Sequence, residues 1–366
     1  IYTKLIKTKM QPFLISTTGL SSALLELMKL LKKAPEIGSR NGKTKELTQV
    51  CISHSDPTDR LISFESRKED LIAQIAETLW VVGGSRQLKY LSPFLPRAID
   101  YSDDQTVWRA GYGFRIRNYA GEVDQLKEVL NILKTDLYSR RAFLAITDSR
   151  VDLSPGKDIA CNQMINFLVR PDEHGIDRLN MTVTNRSNDG FWGYSGINFY
   201  EFSFLQEFVA NLLGVKLGYY LHNSMSFHIY EQHWDRMDSI ISEGNRESLF
   251  PVETNTKCPE VHFSSLEEFD YLFSAYKGAI ESLNSGTNTF DVWNNFRESL
   301  NKDYTESYIF FEIPILYLCL KDQLFAFDGK VQSYISNKYY KEESLFFTKI
   351  SKKFKKRIER HNYAKP

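Results

Sequence analysis

The chain has 366 residues, with 46 Lys and Arg against 46 Asp and Glu, so its formal net charge is zero. That balance gives no global pull toward nucleic acid or anionic lipid, and any polyanion must be met by a local basic patch. With 42% apolar and 14% aromatic residues the chain can build a sizeable core, which excludes wholesale disorder.

Residues 1–10 carry three lysines but no long apolar run, so a secretory leader is not expected. Helical periodicity follows at 23–31, 71–82 and 125–133, and β-rich runs at 143–146, 164–169 and 179–183. The mixture predicts an α+β domain over residues 12–240, built around a sheet. Gly, Asn, Ser, Pro and charge mark 241–260 as a linker or loop. From 261 to 366 the pattern turns helical and aromatic, with helices expected at 266–283, at 290–300 and in a long stretch from 331. The most apolar run, 309–320, is interrupted by Glu312 and Pro314 and is too short for a bilayer; it reads as a buried helix or strand. No membrane association is expected. The basic run Lys352, Lys353, Lys355, Lys356 and Arg357 reads as a solvated helix face in preference to a nucleic-acid contact.

Cys51, Cys161, Cys258 and Cys319 are scattered and form no CxxC pair. This argues against a disulfide framework or zinc site and for a reducing compartment, by default the cytoplasm. Cys161 has the richest context, at a loop-to-strand junction where a thiol can face a pocket and nearby cations would favour its thiolate. Arginines punctuate the same region: Arg140 and Arg141 precede one strand, Arg186 follows another, and Arg40 sits in a further basic turn. Guanidinium forks suit bidentate phosphate binding, so together they suggest a phosphate-monoester site. Taken singly, each arginine reads more readily as a solvated or salt-bridged turn residue.

In order, Arg40, Glu77-Thr78-Leu79-Trp80 with Gly83-Gly84, Tyr112-Gly113, Ser139-Arg140-Arg141, Cys161, Arg186-Ser187-Asn188-Asp189, Asn198 and His228-Ile229-Tyr230 resemble the motifs of the thymidylate synthase family across 21–235. The resemblance implies a thymidylate synthase-like α+β fold, a large twisted mixed sheet packed by helices, with a mainly helical C-terminal extension. It also implies one-carbon transfer from 5,10-methylenetetrahydrofolate to C5 of a pyrimidine nucleoside monophosphate, through an adduct of Cys161 at C6, and requires no metal. Glu77 and Tyr112 would manage protons. Arg40, Arg186 and Ser187, with Arg140 and Arg141 from the second subunit of a homodimer, would hold the phosphate. Asn198 would read the base, with Asn162 beside it, and His228 and Tyr230 the ribose. Asp189, Trp80 and Gly193 would face the folate.

Three departures resemble the family's nucleotide hydroxymethylase branch, where water traps the methylene intermediate. Asn162 stands where most synthases have His. The stretch 98–103 lacks the family's tryptophan pair beside the folate. Residues 236–366 extend past the core, where synthases end. The expected reaction is 5-hydroxymethylation, on dUMP given Asn198, with dCMP or CMP as the alternative substrates. The alternatives are reductive methylation of dUMP to dTMP and a catalytically inactive nucleotide- or RNA-binding module.

Overall fold

A computed structural model describes residues 12–245, 257–300, 306–340 and 344–361. The expected linker, 241–260, falls largely on 246–256, outside the described residues. The strands are β1 (Phe13–Thr17), β2 (Glu36–Ser39), β3 (Gly42–His54), β4 (Phe143–Ala145), β5 (Asn162–Pro171), β6 (Asp177–Asn185), β7 (Asn188–Asp189) and β8 (Lys216–Tyr230). They form one mixed sheet in the order β1-β3-β8-β6-β5-β4, with β2 paired to β3 and β7 to β8. β3 and β8 are antiparallel, β6 and β8 parallel.

Rows of residues across this sheet show its two faces. Ile52, His222, Val183, Ile165 and Leu144 align in register and are all fully buried. One step along, Leu14, Cys51, Asn223, Thr184 and Met164 align and are all at least partly exposed. Alternation of side chains puts the first row under the helices and the second on an open face. Leu14 is 76% exposed and Met225 49%, so apolar side chains stand uncovered there.

The helices are α1 (Leu20–Lys32), α2 (Leu71–Val82), α3 (Tyr112–Arg117), α4 (Gln125–Thr135), α5 (Ser149–Asp152), α6 (Phe199–Leu213) and α7 (Trp234–Gly244). In the C-terminal part they are α8 (Leu266–Asn284), α9 (Thr289–Ser299), α10 (Ile309–Cys319), α11 (Gln323–Ala326), α12 (Gly329–Tyr339) and α13 (Leu345–Glu359). The apolar run at 309–320 is a helix, and the stretch from 331 divides into α12 and α13. Asp70 caps α2, accepting the Ala73 N–H, which satisfies one of the donors left free at a helix start. All but Glu77 of α2 is buried, because α6 and α3 cover one side and α10 another. Gly113 permits this packing: a Cβ there would meet Val81 O at 2.4 Å. The extension therefore shares a continuous apolar core with the sheet domain.

The basic run on α13 has partners. Lys349 pairs with the fully buried Glu69 at 2.8 Å, and Lys353 with Asp70 at 2.7 Å. Lys352 reaches Glu65 at 3.0 Å, and Arg357 lies over the Tyr317 ring. Lys349 and Lys353 anchor α13 beside the start of α2, and Arg357 anchors it to α10, so the run is more than a solvated face.

Candidate active site

Cys161 is the last residue before β5, and the loop leading to it is clamped from several directions. Asp158 Oδ2 accepts the Ala110 N–H at 2.9 Å, and Arg109 donates to the Asp158 carbonyl at 3.0 and 3.2 Å. Arg40 donates to the Gly156 carbonyl at 3.4 Å, so the expected phosphate arginine does reach the cysteine loop. Arg186, just past β6, closes the other side. Its backbone N–H donates to the Cys161 carbonyl, its Nε to Ala160 O, and its Nη2 to Ile159 O. The same Nη2 lies 3.7 Å from Cys161 Sγ. Burial nevertheless outweighs Arg186 and raises the thiol above its ordinary range, with Asp158 and Asp189 adding to the rise. The arginine field expected at Cys161 is therefore present, but the desolvation is larger.

Tyr112 opens α3 and stands next to the nucleophile. Its hydroxyl accepts the Asn162 N–H at 3.2 Å, and its ring stacks on Phe202. Burial pushes the phenol well up, and the Cys161 charge adds to that. Asn162 itself is buried; its Nδ2 donates to Asn185 at 3.3 Å, and its Oδ1 has no partner among the described residues.

A second group lies on the far side of the cleft. Residues Gly190–Asn198 form a π-helical segment, a wide turn common at functional sites. Asp189 starts it, Oδ1 accepting the Phe191 and Trp192 N–H groups. Asn188 Nδ2 donates to Asn198 Oδ1 at 2.8 Å, and Asn198 Nδ2 donates to Glu201 Oε1 at 2.9 Å. Gly193 backs the amide pair, since a Cβ there would meet Asn198 Oδ1 at 2.9 Å. Glu77 projects from α2 with intermediate exposure, and burial pushes it up to about 8. Glu201 is pushed up by burial and by the charge of Glu77.

The third group joins β7 to β8, where Asp189 sits opposite His228. Burial lowers His228, while Asp189 and Glu46 pull it back. Its ring meets Tyr230 edge-on at 5.3 Å. Asp189 is raised by burial, and its Oδ2 is buried with no partner among the described residues, an acceptor waiting for a donor. Ser187, between Arg186 and Asn188, is partly exposed at the rim.

Mutual fields tie the three groups into one site. Cys161 feels Asp189, Tyr112 feels Cys161 and Glu201, and Glu201 feels Glu77. Three expected members stand elsewhere in this chain. Trp80 is 1% exposed, its indole N–H bonded to Gln87 O and its ring edge-on to Trp108, so it is core and not a folate contact. Arg140 and Arg141 are exposed just before β4, opposite the Leu168–Val169 end of β5 by extension of the register. At about 3.3 Å per residue they lie roughly 25 Å from Cys161 of their own chain.

Sequence reasoning missed Glu201, which interrupts an apolar helix three positions after Asn198 and so shares its side. It also missed the loop clamp by Arg109. Trp108, partly exposed, with its indole N–H bonded to Ala98 O, supplies an aromatic beside the stretch taken to lack one. A separate cavity of about 480 Å³, lined by Arg86, Arg117, Asp270 and Lys277 among others, lies between the turn after α2, α3 and α8, and neither Cys161, Glu77 nor Asn198 lines it.

The family model for thymidylate synthase matches residues 27–277. The chain belongs to the thymidylate synthase family of enzymes. Among its relatives, a deoxyuridylate hydroxymethyltransferase of Pseudomonas phage M6 is 37% identical over 221 residues, covering 60% of this chain and 62% of that protein. A second protein of the same name, from Delftia phage PhiW-14, is 34% identical over 246 residues, covering 63% of this chain and 66% of the relative. The thymidylate synthase of Francisella philomiragia is 26% identical over 271 residues, 69% of this chain and 95% of that enzyme. The chain thus spans less than two thirds of the length of the two phage relatives. Among the described residues no helix is long and apolar enough to cross a membrane.

Proposed function

We propose that the protein transfers a one-carbon unit from 5,10-methylenetetrahydrofolate to C5 of dUMP and that water completes the reaction, giving a 5-hydroxymethyl nucleotide. The observation that carries this reading is the Cys161–Arg186 contact at the mouth of β5, in a chain 34–37% identical to phage proteins named deoxyuridylate hydroxymethyltransferase. A thiolate adds to C6 of the pyrimidine, making C5 nucleophilic, and leaves again at the end. Cys161 takes that part once the nucleotide is bound. Tyr112, accepting the Asn162 N–H, assists removal of the C5 proton, and Glu77, raised toward neutrality, manages protons at the base. Arg40, Arg186 and Ser187 hold the phosphate, Asn198 with Asn162 meets the base, and His228 and Tyr230 meet the ribose.

When bound, the folate supplies a carbon at the oxidation level of formaldehyde. The residues fit it at one clear point: the orphaned Asp189 Oδ2 suits a pterin N–H, and Gly193 keeps the wall behind Asn198 thin. Hydroxymethylation needs only water at the exocyclic methylene, whereas methylation needs a hydride and leaves dihydrofolate. A homodimer completes the phosphate site, with Arg140 and Arg141 crossing from a second copy packed on the open sheet face. A free Cys161 thiol also suits a reducing compartment such as the cytoplasm.

The test is incubation with methylenetetrahydrofolate and dUMP, dCMP or CMP, following the dihydrofolate absorbance and the mass of the nucleotide. A hydroxymethylated dUMP without dihydrofolate is expected. Dihydrofolate formed in step with dTMP would make the protein a thymidylate synthase instead.

A further inference from the structure

An asparagine that reads a pyrimidine has an ambiguity built into it. Its amide offers N–H on one side and oxygen on the other, and turning it over exchanges them. Uracil presents N3–H and O4; cytosine presents a bare N3 and an N4 amine. The two bases therefore demand opposite amide orientations at the same place.

In this protein the Asn198 amide is held from both ends. Its Oδ1 accepts from Asn188 Nδ2 at 2.8 Å and its Nδ2 donates to Glu201 Oε1 at 2.9 Å, leaving one N–H and one lone pair free. All three side chains are buried, so water does not substitute for a lost partner at low cost. Turned over, Asn198 would set oxygen against the Glu201 oxygen and N–H against the Asn188 N–H₂. Asn188 can turn with it, because its own Oδ1 has no partner among the described residues. Glu201 sets the other end: its Oε1 accepts the Asn198 N–H, so in this arrangement any proton the carboxyl carries sits on Oε2.

We propose that Glu201 is a positioning residue for base selectivity, fixing the Asn198 amide in the single orientation that suits uracil. The inference rests on the reading that Asn198 faces the base. Glu201 touches neither substrate nor folate in this scheme; it acts through Asn198. Its charge neighbours are Glu77 on α2, Tyr112 on α3 and Tyr220 on β8, and none of them bonds to Asn198.

The variant that separates this role from simple packing is Glu201→Gln, which keeps shape and burial but offers an N–H₂ to a turned Asn198. Release of tritium from C5-labelled dUMP and dCMP, dependent on methylenetetrahydrofolate, reports turnover for either product. Glu201→Gln is expected to keep Tm at or above the wild-type value and kcat on dUMP within about threefold. The ratio of kcat/KM for dUMP over dCMP should fall by about tenfold or more, through KM. Glu201→Ala should lower the ratio further. An unchanged ratio in Glu201→Gln, or a loss of Tm and activity together, overturns the proposal. Asn198→Ala tests the reading beneath it. If that variant leaves KM for dUMP unchanged, Asn198 is not at the base and both fall; if KM rises while Glu201→Gln keeps the ratio, only the Glu201 role falls.

Discussion

Arg186 Nη2 lies 3.7 Å from Cys161 Sγ, yet the thiol is raised above its ordinary range, because burial together with Asp158 and Asp189 outweighs one guanidinium. Its surroundings therefore favour the thiol form of Cys161. Alkylation of Cys161 by iodoacetamide should climb steadily from pH 7 to pH 10 without a plateau below about 9. Two variants should move the rate at fixed pH in opposite directions. Arg186→Ala removes the one lowering charge and slows alkylation several-fold. Asp158→Asn removes a raising charge, keeps an acceptor for the Ala110 N–H, and speeds it. Equal rates in all three proteins would refute the balance of fields. Cys161→Ser should lose roughly 10³-fold or more in turnover while folding normally.

Glu77 supplies a second pH-dependent signature. Its carboxyl is pushed up to about 8 from an ordinary value of 4.5 because charge in the cleft is poorly solvated. Between those values the folded protein binds more protons than the unfolded chain, so stability falls as pH rises from about 4.5 to about 8. Glu201 is shifted the same way and reinforces the slope. Glu77→Gln abolishes one share of it. The Tm of that variant relative to the parent should therefore grow as pH rises from 5 to 8 and level off above, while turnover falls by about 10²–10⁴-fold. A Tm difference flat across that window would mean Glu77 titrates like a surface acid.

How much of this was legible depended on whether a residue's neighbours in sequence were also its neighbours in space. α2 was read residue for residue, because Ile72, Ile75, Ala76, Leu79 and Val82 repeat at helical spacing behind the Asp70 cap. The longest strands, β3 and β8, were not. Their inner face carries His54, His222 and Ser224, which are buried through hydrogen bonds and long-range packing, so hydropathy does not alternate. Gln49, at φ 55, also turns β3 over: buried positions pass from Ile52 and Val50 to Leu47, and β8 does the same across Met225. A period of two cannot survive that reversal. Motif order located Cys161, Arg186, Asn198 and His228. It did not distinguish the core side of α2 from its cleft side, which is why Trp80 was misplaced and Glu77 was not.

The anchoring of α13 should separate a buried ion pair from an exposed one on the same helix. Glu69 is fully buried and its partner Lys349 largely so, at 2.8 Å. Lys352 and Glu65 are 69% and 84% exposed. Removing one member of a buried pair strands the other charge and costs about 3–5 kcal/mol, whereas an exposed pair contributes about 0–1 kcal/mol. Lys349→Ala should therefore lower stability to urea sharply, and Lys352→Ala should leave the midpoint almost unmoved. Equal effects would show that α13 is held by its apolar residues Phe346, Ile350 and Phe354 alone.

The roughly 25 Å between Arg140 or Arg141 and their own chain's Cys161 gives the proposed dimer a sharp genetic test. If these arginines act across a two-fold interface, each active site draws its thiol from one chain and its arginines from the other. Cys161→Ser and an Arg140→Ala/Arg141→Ala double variant should both be nearly inactive as purified homodimers. Unfolded together and refolded as an equal mixture, half the dimers combine one chain of each kind. In those dimers one of the two sites has an intact thiol and intact arginines. Activity should recover to about a quarter of the parent's. No recovery, with sedimentation showing mixed dimers present, would place the arginines in their own chain's site or in none. A parent protein that sediments as a monomer at assay concentration would remove the interface altogether, and with it the reason for Leu14, Met164 and Met225 to stand uncovered on one sheet face.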